Sequence, residues 1–384
     1  MPANAVKGSR ILVVGAGFAG AVYARELAQA GFSVTVIDRR SHIAGNAYDE
    51  ETGAGIRLHR YGPHLFHTNN ARVVEWLRRF GEFLPYEHRV VARLADGRHV
   101  PLPINLHTLE AIFGVTISGE EEAQRLLAGQ AEAIEAPQNA EEYLLSRIGR
   151  CLTDIFFAPY TRKMWGLDLA ALSADVVKRI PIRYDTDDRY FPNDEFQLLP
   201  SQGYTCLFEN ILDHENINVI LNTPFEEAMR AAYLHCFNSM AIDEYFGEVH
   251  GPLPYRSIRF HHRLVPRSVA GLAATVNFTD DQPFTRETDW SLLSGHILRP
   301  GPEKILTLEE PCDYRDNNHE RYYPVKSTDG AEQVLLEKYR AMAALLPDMT
   351  FIGRCGTYMY LDMHQVINQS LAGVREWLLS RRAA

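Results

Sequence analysis

Phosphate chemistry is written into this chain twice, in glycines placed for backbone contact and in arginines placed for ionic contact. Gly15-Ala16-Gly17-Phe18-Ala19-Gly20 spaces its glycines so that main-chain amides can approach a pyrophosphate at a helix start. Asp38 follows at about the distance of the acid that accepts ribose hydroxyls in this fingerprint. Arginines and tyrosines then recur in Lys178-Arg179-Ile180-Pro181-Ile182-Arg183-Tyr184 and Asp187-Asp188-Arg189-Tyr190-Phe191, at Arg286, and at Tyr322-Tyr323. Arginine forks hold phosphate oxygens in pairs, and tyrosine hydroxyls add neutral donors. The same runs also read as a wet face on which Asp187 and Asp188 pair with Arg183 or Arg189. Phe156-Phe157-Ala158-Pro159-Tyr160-Thr161-Arg162-Lys163-Met164-Trp165-Gly166 suits a flat anionic group by stacking and charge. Taken alone, it reads more readily as the end of a core helix whose Arg162 and Lys163 are solvated. Asp362 stands beside Tyr358 and Tyr360, either as a site acid or as a helix cap.

Other chemistries find little support. His64-Leu65-Phe66-His67 lacks the H-E-x-x-H pattern of a zinc helix, so no metal is expected. No G-x-S-x-G elbow is present, and the five cysteines form no C-x-x-C pair, as expected of reduced thiols in a cytoplasmic protein.

The elements that must carry these residues follow from periodicity. Ile11–Val14 and Val34–Ile37 read as strands around a helix Ala21–Ala30 stopped by Gly31, a βαβ unit. Ser41–Tyr48 is a Gly/Asn loop passing near the ligand. Tyr86–Ala92 and Arg98–Leu102 pair through Asp96-Gly97, a hairpin signal. Leu106 to about Ile180 is helical, and strand-like runs return at Arg256–Phe260, Ala273–Phe278, Leu292–Leu298 and Lys304–Leu308. Helix Ala331–Leu346, strand Thr350–Ile352 and a last helix through Ile367, Leu371, Val374 and Leu378 restore α/β character. An α/β start, a helical insert, an antiparallel middle and an α/β end predict a discontinuous cofactor domain with two inserted units. That plan suits a large FAD protein better than a compact NAD dehydrogenase.

Composition bounds the function. At 384 residues, with 46% hydrophobic and 23% charged residues, the chain is an ordinary globular protein of two or three domains. A net charge of −10 disfavours nucleic acid as a partner, although clustered arginines can still make a positive pocket. The polar first ten residues lack a signal-peptide core and no apolar run is long enough to span a membrane. The expectation is a soluble, cytoplasmic protein.

Taken together, these segments resemble the UDP-galactopyranose mutases, FAD-dependent enzymes of cell-surface (cell-wall) sugar pathways. Gly15–Gly20 with Asp38, His42–Tyr48, Tyr61–Thr68, Leu102–Leu106, Phe156–Asp168, Asp187–Phe191, Ile242–Phe246, Pro254–Ser257 and Gly353–Met363 carry the resemblance over essentially the whole chain. It implies α/β plus α+β architecture: a discontinuous FAD-binding Rossmann-like domain, an inserted helical domain and an antiparallel β-sheet domain. The expected segments are 1–82, 202–250 and 327–384 for FAD, 106–180 for the helices, and 83–105, 181–201 and 251–326 for the sheet. A substrate loop at about 166–178 is expected to be mobile, and a homodimer is expected. The implied reaction is a redox-neutral interconversion of UDP-galactopyranose and UDP-galactofuranose. In it, N5 of reduced flavin attacks the anomeric carbon, UDP leaves, and a flavin–sugar iminium lets the ring open and reclose.

Position by position, the resemblance implies that Arg179 and Arg286 hold the diphosphate and that Tyr190, Tyr323 and Tyr360 donate to it. Phe156, Tyr160, Thr161 and Trp165 would serve uridine and the loop, while Asn105, Asn277, Glu309 and Asp362 supply polar contacts to substrate. Val14, Gly15, Gly17, Phe18, Gly20, Asp38, Arg39, Gly45, Asn46, Tyr61, Gly62, Pro63 and His64 would hold FAD. Gly353, Arg354, Tyr360, Leu361, Asp362 and Met363 would hold it from the other end of the chain, with His64 counted among the catalytic group. Ala44 stands where a glycine is usual and His364 where an acid is usual. A second reading from the opening turn alone is an FAD-dependent oxidoreductase of the amine-oxidase type.

Overall fold

The computed structural model describes residues 9–178 and 181–383; Arg179 lies outside the described residues. Arg10–Val14 is apolar on both faces because it is the centre of a parallel sheet covered on both sides. Its five strands run in the order Ile217–Ile220, Ser33–Ile37, Arg10–Val14, His235–Asn238 and Met349–Phe351. Three distant parts of the chain therefore build one sheet. The first helix, Phe18–Gln29, buries Ala19, Ala21, Val22, Ala24 and Leu27 in a core shared with Ile367 and Val374 of the last helix, Met363–Ala383.

The helical region begins where Asn105 and Thr108 cap Leu106–Phe113 reciprocally. Glu120–Gln130, Ala140–Leu152 and Ala158–Trp165 follow, the last two joined by a π-helical turn over Thr153–Phe157. Gly149 adopts φ +73° inside the third of these helices, and a Cβ there would meet the Gln130 carbonyl at 2.1 Å. Only glycine lets the two helices approach so closely. Leu169, Leu172 and Val177, from the segment expected to be a mobile loop, are buried in the same core as Leu109, Leu144 and Ile148.

The larger sheet has seven strands, in the order Tyr323–Pro324, Tyr255–Pro266, Glu303–Asp313, Arg286–Asp289, Thr275–Phe278, Val90–Arg93 and His99–Leu102. Its pairs are antiparallel except Thr275–Phe278 with Val90–Arg93, which is parallel. Gly97, at φ +87°, makes the expected hairpin turn. The strand expected at Leu292–Leu298 is not formed. Asp289 accepts from the Ser291 amide and hydroxyl at 3.1 and 2.6 Å, which winds Trp290–Leu292 into a single 3-10 turn. Gly295, at φ +73°, then keeps the chain irregular.

Buried histidines pin these layers together. The His64 amide donates to His59 Nδ1 at 3.1 Å, so the His59 proton sits on Nε2. That Nε2 lies 2.9 Å from His296 Nε2, and His296 Nδ1 lies 3.0 Å from the Ser294 carbonyl. The chain of donors is consistent only with both rings neutral. Burial pushes His64, His235 and His296 down to about 4 and His88 to about 3. It holds His59 well below its ordinary value, helped by neighbouring His296, His64 and Arg57.

Between the ordinary histidine range near 6.5 and these depressed values, the unfolded chain binds protons that the native protein refuses. Stability is therefore complete above that range and is lost as pH falls through it, by about 1.4 kcal/mol per pH unit for each histidine. Buried Asp49 and Glu309, pushed up by burial, act in the opposite sense but start from the lower carboxylate range. The midpoint of thermal unfolding is expected to fall between pH 7 and pH 5; a flat or rising midpoint would contradict this. A second expectation concerns Ala44, which sits at φ +71°, a conformation costing a non-glycine residue about 1–2 kcal/mol. After the extra entropy of glycine in the unfolded chain, Ala44→Gly should stabilise by about 0.5 kcal/mol, read as a raised midpoint of denaturation.

Candidate active site

A cavity of about 580 Å³ opens between the glycine turn and the face of the seven-stranded sheet. On the α/β side, Gly17 starts Phe18–Gln29 with no side-chain cap, leaving first-turn amides free for an anion. Gly17, Phe18 and Gly20 line the cavity. A Cβ on Gly15 would fall 2.0 Å from Ser239 Oγ, and one on Gly45 would fall 3.0 Å from Gly17 Cα, so the turn is packed to the limit of glycine. Val14, Gly15, Asp38, Arg39 and Gly45 are not among the residues that line the cavity. Asp38 accepts from the Ala16 amide at 2.8 Å and the Arg40 amide at 2.9 Å. Arg39, half-exposed, lies 3.5 Å from Glu244 and 3.6 Å from Glu320. Asn46 lines the cavity and accepts from Arg40 at 2.8 Å.

Strand register builds the opposite wall. Asn277 faces Arg286, Arg286 faces Glu309, and Glu309 faces Phe260 across neighbouring strands, so the four stand in one row on the cavity side. Arg286 Nε is 3.2 Å from Glu309 Oε2, and its Nη2 donates to the Tyr160 hydroxyl at 2.9 Å. Burial opposes the Arg286 charge, but Glu309 and the oxygens of Tyr160, Tyr323 and Tyr190 outweigh it and hold the guanidinium firmly protonated. Burial pushes the Glu309 carboxyl up against the pull of Arg286. Glu309 Oε1 and Asn277 Oδ1 are buried and accept no hydrogen bond.

Between the two walls, the rings of Tyr323 and Tyr360 stack at 5.6 Å and 16°. The Arg354 guanidinium lies 5.1 and 5.0 Å from their centroids, a cation–π arrangement. Its Nε and Nη2 are buried without a hydrogen-bond partner. His64, in the lining loop Tyr61-Gly62-Pro63-His64, has Nδ1 2.9 Å from the Gly62 carbonyl. His88, with Nδ1 3.0 Å from the Tyr86 hydroxyl, is kept neutral by burial and then by Arg286 and His67. Neutral imidazoles leave the positive charge of the pocket on its arginines.

Tyr190, Gly353, Leu361, Asp362 and Met363 also line the cavity. Asp362 precedes the last helix and its carbonyl accepts from Gln365 and Val366 at 3.0 Å. Other expected residues lie elsewhere. Asn105 is fully buried as a helix cap: its Oδ1 accepts from the Thr108 amide at 3.0 Å, and its Nδ2 donates to the Asp187 carbonyl at 3.4 Å. Phe156, Thr161 and Trp165 are buried beneath the wall, Trp165 touching Tyr323 edge-on at 6.4 Å. Arg183 and Arg189 pair with Asp187 as the wet-face reading held. The reading of Phe156–Gly166 as a core helix end with Arg162 and Lys163 solvated holds for Arg162, exposed beside Asp168, but not for Lys163, which is buried among carbonyls.

Sequence reasoning missed a ring column on the wall. His67 stacks on Phe191 at 3.6 Å and 9° and has Nδ1 2.6 Å from Asp194, with His364 at 5.7 Å from it. The His88 ring lies 6.3 Å from that of Phe191, at 28° to it. Nothing in the spacing of these residues announces that they meet. No cluster of three or more metal-ligating side chains occurs among the described residues, and no helix there is long and apolar enough to cross a membrane.

Comparison with known proteins bears on both walls. Residues 13–80 match the NAD(P)-binding Rossmann-like domain, and residues 155–360, over half the chain, match the UDP-galactopyranose mutase family. The chain is 39% identical over 372 residues to a probable UDP-galactopyranose mutase of Klebsiella pneumoniae, covering 96% of this chain and 95% of that protein. It is 36% identical to a dTDP-fucopyranose mutase of Escherichia coli, covering 94% and 97%. A crystal structure of reduced UDP-galactopyranose mutase superposes with a TM-score of 0.73 at 17% identity, covering 96% and 95%, a likeness of fold. With a family match over half its length and relatives aligned nearly end to end, this chain belongs to the UDP-galactopyranose mutase family of isomerases.

Proposed function

We propose that the enzyme interconverts UDP-galactopyranose and UDP-galactofuranose, with a reduced FAD held at the glycine turn. The observation that carries this reading is Arg286, fixed by Glu309 and Tyr160 on the cavity wall opposite the open amides of Phe18–Gln29. A diphosphate that leaves and must return needs a fixed cation, and a pre-oriented guanidinium supplies it without reorganisation. Tyr190, Tyr323 and Tyr360 surround that position in the cavity and would donate to the phosphate oxygens. Arg179 would be the second arginine.

The residues present fit FAD. The glycine turn fits a pyrophosphate, and the partnerless Arg354 nitrogens fit an acceptor on the cofactor. Gly15, Gly17, Phe18, Gly20, Asp38, Arg39, Gly45 and Asn46 would hold its nucleotide half; Tyr61–His64 and Gly353–Met363 would flank the rest. Bound and reduced, a flavin supplies a nucleophilic nitrogen for the anomeric carbon, so no side chain has to form that bond. The chain's own tasks are then to bind and to orient. Arg286 retains the diphosphate, Asn277 Oδ1 and Glu309 Oε1 accept sugar hydroxyls, and neutral His64 and His88 add polarity without a competing charge. The same reading makes the working form a cytoplasmic homodimer, with the domain segments as implied by the family.

An FAD-dependent oxidoreductase of the amine-oxidase type would share the opening turn but would want an apolar channel. The row of Asn277, Arg286 and Glu309 speaks against it. Purified protein incubated with UDP-galactofuranose should produce UDP-galactopyranose under dithionite, followed by chromatography. Absence of conversion under reduction would sink the proposal, and net substrate oxidation would favour the oxidoreductase. The dTDP-fucose pair, run in parallel, tests base and sugar preference. Arg286→Ala should cost about 2–4 kcal/mol in kcat/KM, roughly 30- to 1,000-fold, with the flavin absorbance of the purified variant unchanged. Near-normal kcat/KM would move the diphosphate site away from Arg286.

A further inference from the structure

Lys163 lies on Ala158–Trp165, one helical turn after Tyr160. Its ammonium donates to the carbonyls of Phe278 at 2.9 Å, Asp280 at 2.7 Å and Phe284 at 2.9 Å. Three donors meet three acceptors, so the group is saturated. All three carbonyls belong to the ends and the turn of the hairpin joining Thr275–Phe278 to Arg286–Asp289, the hairpin that carries Asn277 and Arg286. The side chain is only 11% exposed, and burial lowers its pKa from the usual lysine range. Asp280 lies 3.8 Å away and is held in turn by Arg93 at 3.0 Å.

A second grip acts on the same helix. Arg256 donates to the carbonyls of Met164 at 2.8 Å and Lys163 at 3.1 Å, groups that a helix end leaves without intrahelical partners. The helix is thus tied to the sheet at its last turn while Tyr160, one turn earlier, meets Arg286. Two surfaces from different parts of the chain must agree to within a hydrogen bond for that contact to form. A buried ammonium with three carbonyl acceptors fixes both distance and direction, whereas the longer, planar guanidinium of arginine cannot direct its donors to the same three points.

We infer that Lys163 is a positioning residue for the candidate active site: by gripping the hairpin turn 278–285 it sets the register in which Tyr160 holds Arg286 for the diphosphate. The diphosphate role of Arg286 is taken from the proposed function. The contact between Tyr160 and Arg286 is not, and it is tested separately.

The test uses full-length, flavin-loaded protein with UDP as probe. Lys163→Met keeps the apolar stem and removes the donors; Lys163→Arg keeps the charge. Lys163→Met should weaken UDP binding about 5- to 30-fold by calorimetry, and Lys163→Arg should restore little of it. In an Arg286→Ala background the same substitution should change UDP affinity less than about twofold, because coupled residues are not additive. An equal loss in both backgrounds, or normal UDP affinity in a folded Lys163→Met protein, would overturn the inference. A lowered melting temperature with unchanged affinity counts as that second result. If Lys163→Met does not fold, the same cycle on Lys163→Arg decides. A crystal structure of the variant supplies the independent readout. Loss of the hydrogen bond between Tyr160 and Arg286 supports the inference, and its persistence overturns it. If wild-type protein fails to bind UDP, the proposed function fails, and this structural comparison alone decides for Lys163.

Discussion

A guanidinium that water reaches only in part is held by the acceptors around it, and Arg286, 27% exposed, draws its acceptors from separate parts of the fold. Its partners come from three places: Glu309 from the adjacent strand, Tyr160 from the helical region, and Tyr323 from the far edge of the sheet. Removing Arg286 would leave the buried Glu309 carboxyl without its counter-charge, which is costlier than the pair itself is worth. The helical insert and the sheet therefore cannot drift apart without exposing a penalty at the wall of the cavity.

Electrostatics reinforces the arrangement. The chain carries a net charge of −10, yet the cavity offers Arg286 and Arg354 with neutral histidines between. Burial favours the neutral forms of His64 and His88, which avoids like-charge repulsion with Arg354 and Arg286 respectively. Beside the arginines, two acceptors stay unpaired, Asn277 Oδ1 and Glu309 Oε1. A cavity walled by fixed cations and open acceptors suits a ligand that is anionic at one end and hydroxylated at the other. The glycine turn across the cavity adds a further anion site built from backbone.

Glycine and alanine at the turn illustrate how tightly the α/β side is packed. A Cβ on Gly15 or Gly20 would fall 2.0 or 1.9 Å from its neighbour, and one on Gly45 only 3.0 Å from Gly17 Cα, distances that leave no room to spare. Ala44 holds a left-handed conformation in the same loop, a local strain that the surrounding contacts overcome.

How far the sequence reached depends on the range of the interaction concerned. The glycine turn, Asp38, the helix that follows and the Gly97 hairpin were legible because each is a local pattern of propensity and spacing. The resemblance carried Arg286, Tyr323 and Tyr360 to the same cavity, since whole motifs preserve what spacing alone cannot express. Local patterns misjudged Leu292–Leu298, where one side-chain cap from Asp289 outweighs strand propensity. They gave no hint of the column of His67, Phe191 and His88, nor of the carbonyls that enclose Lys163. The sequence by itself determined which short elements form and which residues could bind phosphate. Tertiary structure decided which of them meet, because strand register and helix docking join residues more than a hundred positions apart, as with Tyr160 and Arg286. Such contacts leave no periodicity in the chain to be read.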